Sequence, residues 1–120
     1  MIEIIVGSIT YTAALLSCYD GDTCKIKFHN TPEIIAEQTL RFEGFDTPEI
    51  RGKCWKEKGL ARAAQATTYT WMQTRGTLYS EGKRGKYGRL LVSAPELQDL
   101  LIQSGQARSY AGGKRQSWCK

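Results

Sequence analysis

Two short acidic stretches carry the residue types best suited to chemistry. They are Asp20-Gly21-Asp22-Thr23 and Asp46-Thr47-Pro48-Glu49. Carboxylates and carbonyls are the ligands that a hard cation prefers. Asp22, Asp46 and the Thr47 carbonyl together form an economical oxygen set. Glu49, three positions after Asp46, is placed to orient a water and take its proton. Each stretch also has an ordinary reading. Asp-Gly-Asp is a common turn, and Thr-Pro before an acid is how many helices begin.

Three basic and aromatic pieces supply partners for these acids. Arg41 lies in the strand-like run "TLRFEGF", five positions before Asp46. Strict alternation would put the two on opposite faces, so the strand must bend or end between them, which Gly44 permits. Glu43 is an alternative, simpler partner for Arg41. In "KRGKYGR", Arg89 offers a planar two-pronged donor, Lys86 a point charge, and Tyr87 a hydroxyl and a stacking ring. The same loop also reads as a solvated hairpin tip. In the tail "RSYAGGKRQSWCK", Tyr110 can stack on a base, and Lys114 and Arg115 can contact phosphates, unless the tail is a frayed basic end. His29 has no catalytic company and reads as a surface residue.

Phosphodiester hydrolysis needs these parts together. Charge builds on the phosphoryl oxygens, where arginines and one divalent cation stabilise it. The clustered carboxylates are too few for two metals. A noncatalytic barrel that binds single strands has no need of the full set. A sugar hydrolase with a carboxylate pair has no need of the arginines.

The elements that must position these groups follow from patterning. "IEIIV", "TYTAALLSCY", "TCKIKFH" and "TLRFEGF" read as strands, with breaks at Asp20-Gly21-Asp22 and Asn30-Thr31-Pro32 and a loop to about residue 38. "WKEKGLARAAQATTYTWMQTRG" reads as a helix with Leu60, Ala64, Trp71 and Met72 on one face and a stop at Gly76. "TLYSEG" and "GRLLVSA" are two further strands. Ser93-Ala94-Pro95-Glu96 offers a capping box for a short helix bearing Leu97, Leu100 and Leu101, ended by Gly105. This order suits an α+β domain over residues 1–120. Its expected form is a five-stranded antiparallel oligonucleotide-binding-type barrel, with one long helix between strands 3 and 4 and a short C-terminal helix.

Bulk properties agree with one small domain and a polyanionic partner. The 120 residues hold 17 Lys and Arg against 12 Asp and Glu, a formal +5. No apolar run approaches the roughly 20 residues that span a bilayer. "MIEIIVGSIT" lacks a basic n-region and reads as a first strand, so an intracellular monomer is expected, with a trimmed export precursor left open. The four cysteines, 18, 24, 54 and 119, contain no Cys-x-x-Cys pair, which argues against structural zinc. Cys18 and Cys24 flank a turn. Thiols are expected in a reducing cell, and a Cys54–Cys119 bridge in an oxidising one.

In this order and spacing, "DGDT", "LRFEGFDTPE" and "KYGR" resemble the staphylococcal nuclease (thermonuclease) family, in its short bacterial or phage form. The similarity runs from about Cys18 to Ala107. It implies a calcium-dependent endonuclease that cuts DNA and RNA and leaves 3′-phosphate ends, with magnesium a poorer substitute. By the same resemblance, Asp22, Asp46 and the Thr47 carbonyl are the calcium ligands, and Asp20 stands behind them. Arg41, Arg89 and Glu49 are the catalytic set. Lys86 and Tyr87 hold a terminal phosphate, and Tyr110 matches a base-pocket aromatic approximately. The stretch after "GQARSY" carries no long helix of the kind the founding enzyme has.

Overall fold

The computed structural model describes residues 2–74 and 77–119. In chain order its elements are β1 (Ile2–Val6), β2 (Ile9–Asp20), β3 (Thr23–Phe28), α1 (Glu33–Ala36), β4 (Glu37–Phe42), β5 (Phe45–Asp46), α2 (Trp55–Thr74), β6 (Thr77–Ser80), β7 (Leu90–Val92), α3 (Pro95–Gln103) and β8 (Arg108–Ser109). Strand alternation in the sequence is confirmed where it is strongest. Ile2, Ile4, Ile26, Leu40 and Phe42 point inward and are almost wholly buried. Each such side chain contributes roughly 1.5–3 kcal/mol by leaving water.

The sheet is mixed, with six strands in the order β6-β1-β2-β3-β4-β7. β1–β2, β2–β3 and β3–β4 are antiparallel, whereas β6 joins β1 and β7 joins β4 in parallel. Tyr79 and Ser93 exchange backbone hydrogen bonds of 2.9 and 2.7 Å, which brings the two edges together and nearly closes a barrel. The expected five antiparallel strands are therefore corrected. "IEIIV" is a full strand of its own, so the long helix follows four sheet strands rather than three. Its crossover returns the chain in the parallel sense, which a tight hairpin cannot do.

α2 closes the barrel with a stripe at spacings of four and three: Glu57, Ala61, Ala64, Thr68, Trp71 and Met72 are buried. Leu60, expected on that face, is only half-buried. The expected stop at Gly76 lies outside the described residues. α3 buries Leu97 and Leu101, but Leu100 is 46% exposed. Its N-cap is Ala94 with Pro95 in the first turn and no side-chain cap. The Ser93 capping box is thus corrected, because the backbone of Ser93 is engaged with Tyr79. Gly105 follows the helix at φ +75°, as its place after the last turn suggests. The loop expected up to residue 38 instead contains α1, and β4 begins at Glu37.

All four cysteines are paired, Cys18 with Cys24 and Cys54 with Cys119. The first pair faces across β2 and β3 in direct register. The second joins the loop before α2 to the C-terminal end over 65 residues. Free thiols are thus replaced by two bridges in this fold. Among the described residues no helix is long and apolar enough to cross a membrane.

Candidate active site

The β2–β3 turn brings Asp20, Gly21 and Asp22 beneath the corner that follows β4. Gly21 makes this approach feasible. A Cβ there would lie 2.7 Å from Thr47 Cγ2 and 2.8 Å from Ala64 Cβ. The Thr68 hydroxyl on α2 donates to the Gly21 carbonyl at 2.7 Å and pins the turn to the helix. Asp20 and Asp22 are both nearly buried, at 9% and 5% exposure. The Asp22 amide donates to Asp20 Oδ1 at 3.2 Å.

β4 supplies Arg41, whose Nη1 lies 3.0 Å from Asp22 Oδ2 and donates to the Phe42 carbonyl at 2.7 Å. Glu43, the simpler partner, is not its mate. β4 ends at Phe42, Gly44 takes φ +93°, and β5 starts at Phe45. The strand therefore breaks between Arg41 and Asp46, which lets both serve one site. Asp46 and Thr47 are buried, at 4% and 1%, and the Thr47 amide donates to Asp22 Oδ2 at 3.4 Å.

No helix starts at Asp46-Thr47-Pro48-Glu49. The segment is an irregular corner and α2 begins only at Trp55. The cap reading is corrected. What fixes the corner is Glu57 in the first turn of α2, which accepts from the amides of Lys53 at 2.9 Å and Glu49 at 3.3 Å. Sequence reasoning missed Glu57, because an acid in a helix's first turn is unremarkable by itself. The Glu49 side chain stays about half exposed at the rim.

Burial dominates the electrostatics. It pushes the Asp20 carboxyl up to about 8, helped by the hydrogen bond and the negative charge of Asp22. It also raises Asp46, with Arg115 pulling in the opposite direction. Burial thus disfavours the charged form of both acids, which a cation beside them would favour.

Arg115 is the largest surprise. Its Nη2 lies 2.7 Å from Asp46 Oδ1 and donates to the Thr47 carbonyl at 3.3 Å, while Nη1 donates to Glu49 Oε1. The contact with Asp46 is an ion pair but not an aligned hydrogen bond, so Oδ1 has no hydrogen-bond donor. Burial opposes the Arg115 charge, and the Asp46 and Glu49 carboxylates outweigh it, so its pKa is raised. The expected phosphate contact is corrected: in this conformation Arg115 faces acids. Lys114 is exposed.

The remaining candidates lie around this centre rather than in it. Leu40 and Leu90 are register partners and both are buried. Arg89 immediately precedes β7, so alternation turns it to the same outer face as Arg41, whose own register partner is Leu91. Arg89 Nε donates to the Lys86 carbonyl at 3.2 Å, and its guanidinium lies 5.5 Å from the Tyr87 ring centre. Tyr87 is 91% exposed and has φ 62°, a left-handed backbone that a tyrosine seldom adopts. Tyr110 sits at a groove of about 440 Å³ that also includes Arg41 and Gly44 in its wall, and its hydroxyl donates to the Gly113 carbonyl at 2.9 Å. A larger recess of about 620 Å³ between α2 and α3 has Glu96 as its one charged lining residue and no converging acids or arginines.

Among the described residues, one trio of metal-binding side chains brings its ligand atoms within 4.8 Å of one another: Cys54, Glu57 and Cys119. Both of its cysteines are consumed by the disulfide. A hard cation would instead use Asp22, Asp46 and the Thr47 carbonyl. The chemistry of that donor set fits, since all are oxygens and two belong to buried carboxylates, with Arg115 now 2.7 Å from Asp46 Oδ1. No protein-family model matches the chain, and no curated protein matches it in sequence.

Proposed function

We propose that the protein is a calcium-dependent, sugar-nonspecific endonuclease built on an oligonucleotide-binding-type barrel, hydrolysing DNA and RNA to 3′-phosphate ends. The observation that carries this reading is the buried Asp22–Arg41 pair set against Asp46 and the Thr47 carbonyl, with Glu49 at the open rim. A structural ion pair alone has no use for a second buried acid and an exposed carboxylate beside it.

In this mechanism Arg41 and Arg89, on one face of adjacent strands, hold the non-bridging phosphate oxygens and take up the charge that grows on them. Glu49 aligns a water and accepts its proton as the oxygen attacks phosphorus. The bond to the 5′ oxygen breaks, giving a 5′-hydroxyl and a 3′-phosphate. Calcium held by Asp22, Asp46 and Thr47 would supply further positive charge at the phosphate, with Asp20 behind the ligands. Magnesium demands a tighter octahedron and suits this set less well. In this reading Lys86, Tyr87 and Tyr110 would contact the bound strand beyond the reacting phosphate.

One observation favours a second reading, a noncatalytic single-strand-binding module. Arg115 neutralises Asp46 and Glu49, as it would if those acids were only structural. The two readings part in one assay. Plasmid, single-stranded DNA and RNA are incubated with the protein in calcium, in magnesium or in chelator, each with and without a dithiol reductant. Cleavage in calcium that chelator abolishes is expected. Intact substrates under every condition, with single strands retained, would leave the binding module.

A further inference from the structure

The C-terminal segment returns to the acidic corner by a defined route. β8 pairs with β5, with Asp46 opposite Arg108, and the Tyr110 amide donates to the Gly44 carbonyl at 3.0 Å. Gly112 and Gly113, at φ +99° and +86°, then reverse the chain. Arg115 reaches Asp46, Thr47 and Glu49 from there. Beyond it Trp118 is 6% exposed, with the Arg108 guanidinium 3.8 Å from its ring centre, and Cys119 is bonded to Cys54. Residues 110–119 form no helix or strand. They are held by the Tyr110 amide bond to Gly44, side-chain contacts and one covalent bond.

A single guanidinium thus touches two members of the proposed oxygen set and the proposed base. A divalent cation at those oxygens and a guanidinium on the same oxygens repel each other and compete for the same lone pairs. We propose that residues 110–119 form an autoinhibitory strap in which Arg115 occupies the cation position, and that the Cys54–Cys119 disulfide latches it shut. This rests on the cation-dependent reading above.

Arg115 lies four positions before Cys119. The latch therefore holds the guanidinium near the acids at high effective concentration. Any dithiol reductant opens the latch by ordinary exchange. Its thiolate attacks one sulfur and the Cys54–Cys119 bond breaks. The mixed disulfide then resolves, so that two electrons and two protons pass to the cysteines and the reductant leaves as its own disulfide. The strap then keeps noncovalent contacts alone, among them the Tyr110 amide bond to the Gly44 carbonyl, Trp118 with Arg108, the 2.9 Å bond from Arg108 to the Ser117 carbonyl, and the Arg115 contacts with Asp46, Thr47 and Glu49. The site is closed in an oxidising compartment and opens in a reducing one.

The test uses the full chain as oxidised wild type, dithiol-treated wild type, Arg115→Ala, Arg115→Gln, and the double variant Cys54→Ser with Cys119→Ser. Calcium affinity is read by calorimetry, and tail release by the rate of trypsin cleavage after Lys114. If the strap is closed about nine-tenths of the time, both Arg115 variants bind calcium roughly tenfold more tightly than oxidised wild type. Dithiol brings wild type to the level of the double variant and leaves the double variant unchanged. This control separates the latch from the Cys18–Cys24 pair. Calcium and dithiol each speed cleavage after Lys114 in wild type.

Equal or weaker calcium binding by both Arg115 variants overturns the strap, as does trypsin cleavage that ignores calcium and dithiol alike. Nucleic-acid cleavage is scored separately. Tighter calcium binding without any cleavage leaves the strap standing and removes the nuclease. Slower cleavage by both Arg115 variants with unchanged calcium binding makes Arg115 a phosphate contact, removing the strap and leaving the nuclease. Absence of calcium binding in every protein removes both.

Discussion

Arg41 and Arg115 approach one acidic corner from two differently built regions, Arg41 pairing with Asp22 and Arg115 with Asp46 and Glu49. Arg41 stands in β4, with neighbours hydrogen-bonded on both sides of the strand, and only 19% of its side chain is exposed beside a nearly buried Asp22. Arg115 stands in a segment without regular structure, with 42% of its side chain exposed. The backbone of the first pair is fixed as part of the barrel. The second can open by moving a strap. Similar ion-pair distances therefore describe a fixed part in one case and a removable one in the other. What separates them is the backbone behind each guanidinium.

Substitution should separate the two arginines in magnitude. Arg41→Ala leaves the buried Asp22 carboxylate without its partner. Turnover should fall about 10³-fold, and stability should fall by about 2 kcal/mol in a denaturant titration. Arg115→Ala also removes the partner of a buried acid, Asp46, but from a segment outside the sheet, so stability should fall by less than in Arg41→Ala. A fall of similar size in both variants would erase the distinction between fixed and removable.

Glu49→Gln should lower turnover by about 10²-fold or more and leave the thermal midpoint in place, because Glu49 is half exposed at the rim, where Arg115 pairs with it. Retention of wild-type turnover would take it out of the mechanism. Arg89→Ala should lose about 10²-fold in turnover while calcium affinity stays the same, since Arg89 touches none of the proposed ligands. Loss of calcium affinity would place it differently.

The subtlest readout is pH dependence. Burial raises the folded pKa of Asp20 from the ordinary carboxylate range to about 8. The folded state thus holds a proton that the unfolded state gives up. Its contribution is complete below pH about 4 and is lost as pH rises toward about 8. In chelator the melting midpoint should drop over that window, and Asp20→Asn should flatten the curve. Saturating calcium should also flatten it. An unchanged slope in Asp20→Asn would assign the titration to another group.

Some of this architecture was legible in local patterns. The alternating runs of β1 to β4 and the four-and-three stripe of α2 follow from residue order, because side-chain direction repeats with period 2 in a strand and 3.6 in a helix. The need for a break at Gly44 was legible too, from the parity of Arg41 and Asp46. Other features were misread where local chemistry was outvoted. Thr47-Pro48 looks like a helix start, yet Glu57 ties up the following amides and delays α2 to Trp55. Ser93 looks like a cap, yet its backbone is needed to close the barrel.

By itself the sequence determined which groups are available: oxygen donors at Asp22, Asp46 and Thr47, an acid at Glu49, and arginines at 41 and 89. These are properties of residue type and short spacing. Only the tertiary structure decided which of them meet. The parallel seam that joins β7 to β4, the burial that raises the Asp20 pKa, and the 66-residue separation closed between Glu49 and Arg115 depend on where distant segments pack. Contacts between distant segments have no local period to read. They appear only once the barrel is closed and the disulfide has carried the tail back across its acids.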